Sequence, residues 1–259
     1  MTNKPRLFVV LCVACVVALA LTSPRIARAQ AASTEKAPVY TYVSEWTVPR
    51  AMWGDYLKQS SGDDELMKKA VADGTLIEFG DYTVLNHQEG LPTHGTWFSA
   101  SSIANLMKAL EELRTRPGAT SAPFAASKHW DYILRSTDYD AHSGTFTNAY
   151  LRVGNWRFAK DASDGGAVVK ATLSAALQKM MSEGSLHEYA IDEEAVHSRD
   201  PGTIFVAIVT NGAEGLDKFE AAIDAMEKSS PAVGAALRGT LDPEGHRDFL
   251  AKVDTMTHK

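Results

Sequence analysis

The chain has 259 residues, 45% of them apolar, and a formal net charge of −6. That acidic balance argues against a surface built for nucleic acid or an anionic membrane, and the length suits one domain or two. Its only two cysteines, Cys12 and Cys15, lie in an apolar N-terminal run, so the remainder has no disulfide, thiolate nucleophile or cysteine-held metal.

Residues 1–29 read as a secretory signal peptide. Lys4 and Arg6 begin it, Leu7 to Leu21 is nearly all apolar, and Ala27-Arg28-Ala29 supplies a small-x-small cleavage pattern. The apolar run is short for the roughly 20 residues of a spanning helix. Cleavage before Gln30 removes Lys4, Arg6, Arg25 and Arg28 and no acidic residue, taking the charge from −6 to −10. The expected product is a soluble periplasmic or secreted protein with no membrane partner and a flexible start over 30–38.

Val39–Trp46 is rich in β-branched and aromatic residues and predicts a strand. Pro49 suits the first turn of a helix, which runs past Trp53 and Tyr56 to a break at Ser60-Ser61-Gly62. It resumes through Leu66, Met67, Ala70 and Val71, and Gly74 ends it. Leu76–His87 and Thr93–Ala100 predict two strands joined by a turn containing Gly90 and Pro92. Ser101 or Ser102 caps a helix with Ile103, Leu106, Leu110 and Leu113 on one face. His129–Thr137 is the last strand of a first unit over 39–138, and 139–145 reads as a solvated linker. A second unit over 146–259 repeats the order: strand Phe146–Trp156, helix Val168–Ser182, strands Leu186–His197 and Thr203–Thr210, helix Leu216–Met226 and strand His246–Asp254.

The two units are related in sequence. A shift of 110 positions lays Tyr40 on Tyr150, Val43 on Val153, Trp46 on Trp156, Gly74 on Gly184, Glu78 on Glu188 and His87 on His197. A shift of 117 lays His129-Trp130-Asp131 on His246-Arg247-Asp248. Each βαββαβ unit resembles the ferredoxin-like fold. Two on one chain resemble the pseudo-dimeric α+β barrels, in which two four-stranded sheets face each other. That superfamily includes antibiotic-biosynthesis-type monooxygenases, chlorite-dismutase-like haem proteins and stress-responsive barrel proteins. The resemblance implies an α+β fold; it rests on element order and duplication, without a family motif.

Motifs that would define chemistry are absent. His187-Glu188 opens like the H-E-x-x-H zinc motif, but Ile191 replaces the second histidine and the segment predicts a strand. Asp138, Asp140 and His142 alternate like the start of a calcium loop, yet its glycine is misplaced and Ala149 replaces the closing glutamate. No metal site is therefore expected. No phosphate loop, dinucleotide fingerprint or nucleophile elbow occurs.

The duplicated aromatic and polar positions remain. Alternate strand residues share a face, which groups Tyr40, Tyr42, Ser44 and Trp46, and in the second unit Tyr150, Arg152, Gly154 and Trp156. We expect these sets to face the space between the two sheets, with Val43, Leu151 and Val153 beneath helices. His87 and His197 end the second strand of each unit, where an imidazole could serve as base or ligand. The candidate ligand-binding set is therefore Tyr42, Trp46, His87, Arg152, Trp156 and His197. His129 with Asp131, and His246 with Asp248, are spaced so that each aspartate can orient its imidazole. The expected function is binding of a small, partly apolar ligand between the two units. The alternative is a haem-dependent or cofactor-independent monooxygenase-like oxidoreductase; the residues name no cofactor.

Overall fold

Nine strands and six helices follow one another in a computed structural model described over residues 36–116, 120–162, 164–196 and 202–259. The signal-peptide segment, Cys12, Cys15 and His197 lie outside the described residues. Strand β1 (Val39–Thr47) leads through a 3₁₀ turn (Arg50–Met52) into α1 (Trp53–Asp73), β2 (Glu78–Val84), β3 (His94–Ala100), α2 (Ile103–Thr115), α3 (Ala122–Ala126) and β4 (Lys128–Ala141). After the short β5 (Gly144–Phe146) come β6 (Ala149–Phe158), α4 (Gly165–Ser182), β7 (Leu186–Val196), β8 (Thr203–Asn211), α5 (Glu214–Ser229), α6 (Pro231–Thr240) and β9 (Leu241–His258).

The sheet order β2-β3-β1-β4-β7-β8-β6-β9 closes on itself through the β2–β9 pair, giving an antiparallel eight-stranded barrel with β5 appended to β9. Each unit supplies one four-stranded half in ferredoxin-like order, and the units join where β4 meets β7 and β9 meets β2. Closure satisfies the edges that two separate half-sheets would expose. The expected α+β barrel of two ferredoxin-like units is the observed fold.

Two hydrophobic layers lie outside the barrel and one inside it. Met67, Val71, Leu76, Phe79, Phe98 and Leu106 pack helices onto the first half-sheet; Val169, Leu177, Tyr189, Ile191, Ile204 and Ile208 do so on the second. Tyr82, Trp97, Leu151, Val209, Val253 and Met256 fill the interior. Gly74, with φ +81°, ends α1 in the left-handed conformation, its N–H bonded to the Val71 carbonyl. The Ser102 side chain caps α2 by accepting from the Asn105 N–H at 3.2 Å.

Three local expectations are corrected. Helix α1 continues through Ser60-Ser61-Gly62, because Ser60 is buried and Asp63 is anchored by Arg116. Packing there outweighs the roughly 1 kcal/mol helix penalty of one glycine. The segment 139–145 is no solvated linker: Tyr139, Asp140 and Ala141 belong to β4 and pair with Ala190, Tyr189 and Glu188 of β7. Gly144 and Thr145 lie in β5. Strand β2 is shorter than expected, so His87 falls in the following loop, beyond Val84.

Candidate functional site

The alternation along β1 and β6 is as expected, but the faces are reversed. Tyr42 and Trp46, like Arg152 and Trp156, lie on the outer face under the helices; Val43, Leu151 and Val153 line the barrel interior. Helices cover the outside and the barrel encloses the inside, so both faces of each strand are buried. Period-two hydrophobicity then cannot tell one from the other.

A cavity of about 330 Å³ lies between the first half-sheet and its helices. Tyr42, Ser44 and Trp46 from β1, Thr96 and Phe98 from β3, and His129 and Asp131 from β4 form its sheet wall. Tyr56, Asp63 and Met67 from α1, Leu110 and Arg114 from α2, and Phe124 from α3 close it from outside. Antiparallel register sets Trp46 opposite His129 and Ser44 opposite Asp131. The Trp46 and His129 rings stack with centroids 4.3 Å apart and planes inclined 11°. His129 Nε2 donates to Asp131 Oδ2 at 3.0 Å, fixing the imidazole in its plane. Phe124 lies against Trp46 at 4.8 Å, and Tyr42 stacks on Phe98 at 5.0 Å.

Polar groups punctuate this aromatic wall. Arg116 grips both oxygens of Asp63, and its guanidinium lies 5.7 Å from the Phe124 ring centre. Burial, reinforced by the charge of the adjacent Asp131 carboxylate and a hydrogen bond to it, holds the Tyr42 phenol well above its ordinary pKa. Burial and a hydrogen bond with Asp64 push the Asp81 carboxyl far above the usual range. Asp131 Oδ1 is buried and has no hydrogen-bond partner among the described residues.

The second unit repeats the arrangement with one exchange. Trp156 stacks on His246 at 3.3 Å, and His246 Nε2 donates to Asp248 Oδ1 at 2.8 Å. Arg152, at the position of Tyr42, donates to Asp248 Oδ2 at 3.1 Å and pairs with Glu220 at 2.9 Å, its guanidinium 4.9 Å from the Phe219 ring centre. The equivalent cavity is about 150 Å³.

The space between the two half-sheets, where the sequence places the ligand, is a cavity of about 60 Å³. That is far below the roughly 300–1,000 Å³ of small-molecule sites. Glu78, Glu188 and Asp192 face this interior, and burial beside Glu78 pushes Asp192 up to about 7.

The five candidate residues that are described are therefore dispersed. Tyr42 and Trp46 share the first cavity, Arg152 and Trp156 the second, and His87 lies exposed beside Trp53 at 5.1 Å. Sequence reasoning saw the spacing of His129 and Asp131 but missed Tyr56, Asp63, Arg116 and Phe124. These come from helices, or in the case of Arg116 from just past one, whose apolar periodicity says nothing about which polar neighbours meet the sheet.

No protein-family model matches the chain, and no curated protein matches its sequence. Its fold is shared with solved structures. A provisionally assigned monooxygenase from Fusobacterium nucleatum superposes with a TM-score of 0.62 at 8% identity, covering 86% of this chain and 95% of that one. A similarly assigned protein from Lactobacillus acidophilus gives 0.60 at 10%, covering 86% and 97%. A haem-binding protein from Thermus thermophilus gives 0.51 at 11%, covering 83% and 90%. At these identities the likeness is one of fold: the protein is a pseudo-dimeric α+β barrel.

Three of the described histidines are already engaged by their neighbours rather than set for a haem iron. An axial histidine must present a free ring nitrogen end-on to the iron. None of the described helices carries a histidine. His129 and His246 lie flat on tryptophans with Nε2 committed to aspartates. His94 is fully buried among Thr93, Trp53 and Tyr56. No cluster of histidine and carboxylate side chains suited to a metal occurs among the described residues.

Proposed function

We propose that the protein binds a small, partly aromatic molecule in the sheet–helix cavity of its first unit. The observation that carries this reading is the 330 Å³ space walled by Tyr42, Trp46, Tyr56, Phe98 and Phe124 with a few polar groups. Apolar walls bearing a few fixed polar tips are the usual make-up of ligand pockets. Thermal-shift screening of aromatic fragments tests it. Stabilising hits should disappear in Leu110→Trp, which fills the cavity from α2, and hits unaffected by that change would contradict the reading.

A second reading, cofactor-independent oxygenation, is favoured by one feature. His129, oriented by Asp131, borders the cavity and suits removal of an acidic proton from a bound phenol-like substrate. The two provisionally assigned monooxygenases of like fold lend it fold-level support. Dioxygen uptake with phenolic compounds, lost in His129→Ala, supports it; no uptake across a panel contradicts it. We further propose that the chain acts outside the cytoplasm after cleavage before Gln30. N-terminal sequencing of the protein from its host's exported fraction checks this, and an intact Met1 would refute it.

A further inference from the structure

The two copies differ at one position that bears on what the first cavity takes. In the second unit the carboxylate of Asp248 is filled on both oxygens: His246 donates to Oδ1, and the Arg152 guanidinium donates to Oδ2. Register places the first unit's residues in the same relation. Ser44 pairs with Asp131 as Gly154 pairs with Asp248, and Trp46 pairs with His129 as Trp156 pairs with His246. Tyr42 therefore stands where Arg152 stands. His129 takes Asp131 Oδ2, the neutral Tyr42 phenol is the other donor beside that carboxylate, and Oδ1 is left buried with no partner among the described residues. An unpaired buried carboxylate oxygen is costly, and a charged donor satisfies it best.

We infer that the first cavity is selective for an organic cation, an amine or amidine on an aromatic body, whose N–H group takes Asp131 Oδ1 as the Arg152 guanidinium takes Asp248. The second unit displays the recognition within its own chain, with Arg152 over the Phe219 ring as well as on the aspartate. The aromatic walls of the first cavity supply the matching faces, since ring faces attract cations. The protein cations lining the cavity are already engaged: Arg116 is held by Asp63, and the exposed Arg114 is hydrogen-bonded to the Tyr42 phenol. This inference rests on the first cavity being the binding site and adds the charge of its ligand.

Calorimetric titration of the full chain with tryptamine, tryptophol and indole-3-acetate tests it. These share one ring system and differ in charge. Tryptamine should bind at least about tenfold more tightly than tryptophol, the range expected of one charge-assisted hydrogen bond. Asp131→Asn should bring the two ligands level. Tyr42→Arg, which installs the second unit's own cation, should abolish tryptamine binding. Equal binding of tryptamine and tryptophol, tightest binding of the acetate, or an unchanged preference in Asp131→Asn would overturn the inference while leaving an aromatic-binding cavity intact. Binding of none of the three would overturn both.

Discussion

The indole of Trp46 lies flat on the imidazole of His129, and Trp156 lies on His246 in the same way one unit later. Both pairs sit at matched cross-strand positions, β1 against β4 and β6 against β9, and in both the imidazole is tied to an aspartate two residues on. Such a stack gives the helices a flat aromatic surface on which to rest and keeps each imidazole edge beside a carboxylate. What separates the units is the neighbour two strand positions further along the face, counted from Ser44 or Gly154: Tyr42 in one, Arg152 in the other.

Trp46→Ala removes the stack, together with contacts to Phe124 and Tyr56. Urea unfolding should show a loss of about 2–4 kcal/mol, with most of it recovered in Trp46→Phe.

Asp192 faces Glu78 across the barrel interior, with Ser136, Lys170 and Glu193 as its other neighbours, and its pKa is raised to about 7. A carboxyl raised on folding makes the native state hold the extra proton. Its contribution is therefore intact below the unfolded value near 4 and is lost as pH climbs through about 7. Stability measured by denaturant at pH 5 and pH 8 should fall by a few kcal/mol, and Asp192→Asn should flatten that difference. A profile unchanged by the substitution would count against the interior carboxylates as its source.

Arg116 is the partner of Asp63, and the two side chains are only 16% and 17% exposed. Arg116→Ala leaves a largely buried carboxylate unpaired and should cost about 1–3 kcal/mol. The double variant Asp63→Ala/Arg116→Ala should be less destabilised than the sum of the singles, measured as a double-mutant cycle.

Gly74 adopts φ +81° at the end of α1. Gly74→Ala should cost about 1–2 kcal/mol in thermal or urea unfolding, because a side chain disfavours that conformation. Gly62→Ala, inside the same helix with open space around it, should instead stabilise by about 0.5–1 kcal/mol.

The architecture was legible because it is written twice: duplicated Trp46 and Trp156, Gly74 and Gly184, and the two His-x-Asp pairs mark matching strands and helix ends. Which side of each strand faces outward was not legible. Tyr42 and Val43 are both buried or half-buried, one under helices and one inside the barrel, and alternation carries no sign. The stack of Trp46 on His129 joins residues far apart in the chain, and only strand register brings them together. Helices α3 and α6 were missed because they are short and rich in alanine, glycine and proline, with little periodic contrast.

The most direct test of the account uses the protein's five tryptophans, at positions 46, 53, 97, 130 and 156. Indole-region NMR spectra during titration with an aromatic amine report which of them the ligand meets. Trp46 in the first cavity should shift, while Trp97 in the barrel interior and Trp156 in the second unit stay in place. Shifts of Trp97 or Trp156 with Trp46 unmoved would place the ligand elsewhere and contradict the assignment of the first cavity.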